Sequence, residues 1–92
     1  MKIRWRRQAE TDLDGILAYL AERNPSAALD IAQSLVLAAD SLATFPNRGR
    51  PGKIPGTREL AAVHPYLLVY EVDADADMVR ILRVWHGARD RG

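Results

Sequence analysis

Residues 46–56, Pro-Asn-Arg-Gly-Arg-Pro-Gly-Lys-Ile-Pro-Gly, divide this chain into two parts that must fold differently. Three prolines and three glycines in eleven residues remove backbone donors and break any regular dihedral pattern. The stretch is therefore predicted to be a basic loop without regular structure. Upstream of it, after a short opening strand, apolar residues recur at helical spacing. Downstream they alternate or run continuously, as strands do. A total of 92 residues allows one domain and leaves no room for a full barrel or a pair of dinucleotide-binding halves.

The predicted elements follow from the local pattern. In residues 2–6, Ile3 and Trp5 alternate with Lys2, Arg4 and Arg6, the period of a half-buried strand. From residue 7 to 23 the period becomes helical, through Ala9, Leu13, Ile16, Leu17 and Leu20. Glu10 and Asp12 suit the positive N-terminal end of that helix. Asn24-Pro25 is a boundary, because Asn caps a helix well and Pro fits its first position. A second helix over 25–44 buries Ala28, Ile31, Ala32, Leu35, Val36, Ala39 and Leu42. The tight turn makes the two helices an antiparallel hairpin. After the loop, residues 57–63, 66–72 and 78–86 read as three strands of an antiparallel meander, and 87–92 as a polar tail. Both helices carry one apolar stripe, so they pack on one face of the sheet and leave the other open. The expected class is α+β in a single domain.

Composition excludes several chemistries. No cysteine is present, so there is no disulfide, thiolate nucleophile or thiolate zinc site. The two histidines are far apart in sequence, which argues against a metal centre, and no cofactor is expected. No apolar run approaches the ~20 residues that cross a bilayer, and no apolar signal core follows the N-terminus. A cytoplasmic protein is expected. The net charge of +1 conceals alternating blocks. Residues 1–8, 48–58 and 78–92 are basic, and 9–47 and 59–77 are acidic. If the fold gathers the three basic blocks, one face is basic and the other acidic.

These elements carry six short motifs in order. They are Trp5-Arg6-Arg7-Gln8-Ala9-Glu10-Thr11-Asp12-Leu13; Tyr19-Leu20 through Asn24-Pro25-Ser26-Ala27-Ala28; and Leu42 through Phe45-Pro46 with Gly49-Arg50-Pro51-Gly52. The others are Gly56-Thr57-Arg58-Glu59-Leu60, Pro65-Tyr66-Leu67-Leu68-Val69-Tyr70, and Arg83-Val84-Trp85-His86-Gly87-Ala88-Arg89-Asp90. Together they cover nearly the whole chain and resemble the RelE/ParE superfamily of bacterial toxins, including plasmid-stabilisation toxins. The resemblance implies the toxin of a type II toxin–antitoxin module, held inactive in a hetero-oligomeric complex by a cognate antitoxin encoded beside it. DNA binding is then the antitoxin's task, and the toxin has no direct sequence-specific DNA contact and no membrane role.

Two mechanisms are implied. ParE-like members block DNA gyrase by contact, and RelE-like members cut mRNA on the ribosome. The second requires a base, phosphate-stabilising cations and an acid without metal. Candidates for it are Glu59 as base, Arg58 and Arg83 on phosphate, and His86 as acid. The loop Arg50-Pro51-Gly52-Lys53 lacks the acid or extra lysines usual in nuclease members, and Gly87 follows His86. The ParE-like mechanism is favoured on that ground. Either way, Arg48, Arg50, Lys53, Arg58, Arg80, Arg83, His86 and Arg89 are the candidates for contact with target or antitoxin. Plain strand spacing sets Arg80 and His86 on one face and Arg83 with Ile81 and Trp85 on the other. A bulge near Leu82–Arg83 would bring all three together. Trp5 and Trp85 are expected in the core, and Tyr66 and Tyr70 as core packing or base-stacking residues.

Overall fold

Between Trp5 and Ala9 the apolar spacing changes from two residues to three or four, and the backbone changes state at that point. The computed structural model describes residues 1–87. β1 (Lys2–Trp5) passes straight into α1 (Arg7–Ala21), which a tight turn joins to α2 (Pro25–Ser41). The Asn24 side chain accepts from the Ala27 N–H at 3.2 Å, and Pro25 fills the first helical position. Both helices stop short of the predicted ends. The amides of Leu42, Ala43 and Thr44 bond back to Ala39, Asp40 and Ser41, the tighter three-residue pattern common where helices run out.

The remaining strands are β2 (Arg50–Pro51), β3 (Arg58–Val63), β4 (Tyr66–Asp73) and β5 (Met78–His86). The sheet order is β1-β5-β4-β3-β2. β3, β4 and β5 form the expected antiparallel meander, and β1 joins it parallel to β5. β2 corrects the sequence reading. Arg50 and Pro51 lie inside the segment predicted to lack regular structure, yet they pair antiparallel with Glu59 and Arg58. A strand of two residues at the sheet edge tolerates a proline, whose missing N–H deprives no neighbour of a bond.

The core lies between the helices and one sheet face. Ala9, Leu35, Ala39 and Leu42 meet Leu60, Leu68, Tyr70, Val79 and Ile81 there. Trp5 packs on its margin, whereas Trp85, opposite Leu67, lies on the other face and not in the core. Val36, expected inside, is 41% exposed beside Leu29 and Leu37. It sits about 100° around the helix from Leu35, which takes the inward position.

Candidate interaction site

The register between β4 and β5 decides which charges share a face. Val69 pairs with Arg83 and Tyr70 pairs with Ile81, so Leu82 is an extra residue, the expected bulge. Its effect differs from the prediction. Cross-strand partners point to the same face, so Val79, Ile81, Val84 and His86 share the helix side with Val72, Tyr70, Leu68 and Tyr66. Arg80, Arg83 and Trp85 share the open side with Glu71, Val69 and Leu67. The bulge thus unites Arg80 with Arg83 and leaves His86 on the opposite face.

The open face is basic along β1 and β5. Arg4 lies opposite Arg80 in the parallel register, and Lys2 opposite Met78. Arg80 bonds Asp73 at 3.0 Å and approaches Glu71 at 3.7 Å, and Arg6 also approaches Glu71 at 3.7 Å. The Ala76 N–H, and then Arg80, hold the Asp73 carboxyl below its ordinary range. Two acids therefore face four cations, Lys2, Arg4, Arg6 and Arg80. Lys2, Arg4 and Arg6 were not among the candidates drawn from sequence. Their signal was the strict alternation of bases along the first strand.

The second basic element is the 46–53 segment, and the sheet fixes it from both faces. The Tyr70 hydroxyl accepts from the Gly49 N–H at 2.8 Å and donates to the Pro46 carbonyl at 2.8 Å. Burial pushes the Tyr70 phenol above its ordinary range, against the opposing pull of the Gly49 N–H and of Arg58 and Arg48. Arg58 donates to the Gly49 carbonyl at 2.7 Å. On the other face Glu59, only 3% exposed, accepts from Arg50 Nη2 and from the Lys53 N–H, each at 3.2 Å. Arg58 and Glu59 therefore point to opposite faces, and both hold the loop. Tyr66 and Tyr70 are core residues, not stacking platforms.

The third element is a groove of about 540 Å³ between α1 and the end of the sheet, lined by Thr11, Asp12, Gly15, Ile16, Tyr19, Tyr66, Val84 and His86. Here β1 has ended and β5 has an open edge. Asp12 covers it, accepting from the Val84 N–H at 2.9 Å and from Arg83 Nε and Nη2 at 2.8 and 3.1 Å. Sequence reasoning gave Asp12 only a role at the helix start. Its clearer signal is position, since it stands three residues after Ala9 and four before Ile16, on the apolar side of α1. His86 packs edge-on to Tyr66, with ring centroids 5.7 Å apart. Arg89 lies outside the described residues.

Comparison with known proteins agrees with the fold. Residues 3–91 match the family model described as the ParE toxin of the type II toxin–antitoxin system parDE. The chain is similar to toxin RelE2 of Caulobacter vibrioides, 44% identical over 85 residues that cover 92% of this chain and 93% of the relative. It is also similar to a putative toxin, Y4kP, of Sinorhizobium fredii, 37% identical over 82 residues covering 88% and 85%. A chain of the chromosomal ParDE toxin–antitoxin system from P. aeruginosa superposes with a TM-score of 0.82 at 29% identity, covering 94% of this chain and 95% of that one.

Proposed function

We propose that this protein, which belongs to the ParE toxin family of type II toxin–antitoxin systems, arrests growth by binding DNA gyrase and is neutralised by its cognate antitoxin in the cytoplasm. The observation that carries this reading is the engagement of Arg58 and Glu59. Two of the four candidate catalytic groups have polar atoms committed to the 46–53 segment, which suits a contact surface better than an acid–base site. The contacting groups on this reading are Arg48, Arg50, Lys53 and Arg80, with Lys2, Arg4 and Arg6 added. Arg83 and His86 are contact groups as well, by way of the groove edge. Antitoxin and gyrase compete for this basic surface.

A second reading, a metal-independent mRNA interferase, is favoured by the name RelE2 of the Caulobacter relative. On that reading Arg83 and His86 act on the phosphate and the leaving oxygen. Brief expression of the toxin, followed by mapping of mRNA 5′ ends and assay of gyrase supercoiling, separates the two. Inhibited supercoiling with uncut mRNA is expected. Codon-phased cleavage with intact supercoiling would overturn the gyrase reading.

A further inference from the structure

A segment with three prolines and three glycines has little order of its own, yet here it lies close on the sheet. Two buried polar side chains of the sheet bond to it, one from each face. Tyr70, fully buried, ties the Pro46 carbonyl and the Gly49 N–H to a single oxygen. Glu59 binds the Arg50 side chain and the Lys53 N–H. A tyrosine hydroxyl buried in a core normally costs stability unless it is bonded. In Tyr70 both of its bonds go to this one segment.

The glycines fit the same arrangement. A Cβ on Gly49 would stand 2.8 Å from the Tyr70 hydroxyl and 2.8 Å from the Glu59 carbonyl. A Cβ on Gly52 would collide with Thr57 Oγ1. At Gly49 the backbone approaches the sheet too closely for a side chain, and at Gly52 it approaches Thr57, just before β3. Arg48 and Arg50 flank Gly49, and Lys53 follows Gly52; Arg48 donates to Ser41 Oγ at 2.8 Å and Arg50 to Glu59 at 3.2 Å.

We propose that Tyr70 and Glu59 are positioning residues, which hold the 46–53 segment so that Arg48, Arg50 and Lys53 form one preformed basic surface for an acidic protein partner. A loop ordered in advance loses less conformational freedom on binding, so the benefit appears as affinity. The proposal rests on the reading that this basic surface contacts the target.

Tyr70→Phe keeps the core ring and removes only the oxygen. The test compares three proteins with the wild type: Tyr70→Phe, a loop-neutral Arg48→Ala/Arg50→Ala/Lys53→Ala variant, and the two combined. Amide exchange at Gly49 is followed in the purified toxin, and the quantified soluble toxin dose that halves growth is followed in cells. In Tyr70→Phe the Gly49 amide exchanges faster, and the toxic dose rises by about tenfold or more. In the loop-neutral background Tyr70→Phe changes the dose by less than about twofold, because coupled residues are non-additive.

Faster exchange at Gly49 with an unchanged toxic dose would overturn the positioning role and leave the surface reading standing. A loop-neutral variant as toxic as the wild type would overturn both. An equal loss from Tyr70→Phe in both backgrounds would mean a general stability effect and would overturn the proposal. If Tyr70→Phe does not fold, Glu59→Gln carries the same comparison, with the Lys53 amide as the exchange probe.

Discussion

Asp12 is the side chain on which most of the α1–β5 junction depends. Its carboxylate, largely buried, receives two guanidinium donors of Arg83 and the Val84 N–H at the open edge of β5. Asp12→Ala leaves the Val84 N–H without its acceptor and removes the carboxylate that Arg83 grips with two donors. A loss of about 2 kcal/mol is expected, read as a lower urea midpoint at unchanged slope. Tyr70 makes a prediction about pH. Its phenol is raised by burial, so the folded state holds its proton more tightly than the unfolded chain does. That contribution is complete below the unfolded value of about 10 and is lost as pH rises through the folded one. Tyr70→Phe should therefore flatten the alkaline limb of stability against pH. Thermal unfolding of both proteins between pH 8 and 11 checks it, and parallel limbs would contradict it.

At the scale of elements, α1 contains a residue with no local reason to be there. Gly15 faces the groove, and a Cβ added to it would meet nothing within 4 Å. Gly15→Ala should stabilise the toxin by about 0.5–1 kcal/mol through helix propensity alone, raising Tm by a few degrees on calorimetry. A fall in Tm would mean that the groove is tighter in solution. The elements themselves were the most legible part of the sequence. Asn24-Pro25 marked the helix turn, because capping and proline geometry are local rules that tertiary packing rarely overrides. The meander was legible from apolar, β-branched runs separated by polar or proline-bearing turns. β2 was not, because Arg50–Pro51 is held by Glu59, a partner nine residues away, and not by its own propensity. The bulge at Leu82 could be anticipated, but not its outcome. Which face His86 joins depends on where the bulge falls in the β4–β5 pairing, and no residue near His86 encodes that. The role of Glu59 was hidden for a related reason: an acid beside basic residues reads as a base or a salt bridge until burial is known.

Across the whole molecule the three basic blocks do come together in part. Two of them, β1 and β5, meet on the open face through the Arg4–Arg80 register. The 48–53 part of the third joins that face at its far edge, where Arg50, Glu59, Val69 and Arg83 form one cross-strand row. Their excess over Glu71, Asp73 and Glu59 gives a positive field across the sheet, and α2 carries no basic residue at all. An antitoxin that docks on this face, as proposed, meets this field before it meets any side chain. Its association rate should therefore fall as salt rises, while dissociation, set by short contacts, changes little. Between 50 and 500 mM salt a drop of about tenfold or more in the association rate is expected. Lys2→Glu with Arg4→Glu should remove much of that dependence. Neither residue makes an ion pair with the described residues, and both are exposed, so the fold should be retained. Stopped-flow mixing of toxin with purified antitoxin measures both rates. A salt-independent association rate in the wild type would show that the open face does not guide the encounter. An unchanged salt dependence in the double variant would place the steering charges on the 46–53 segment instead.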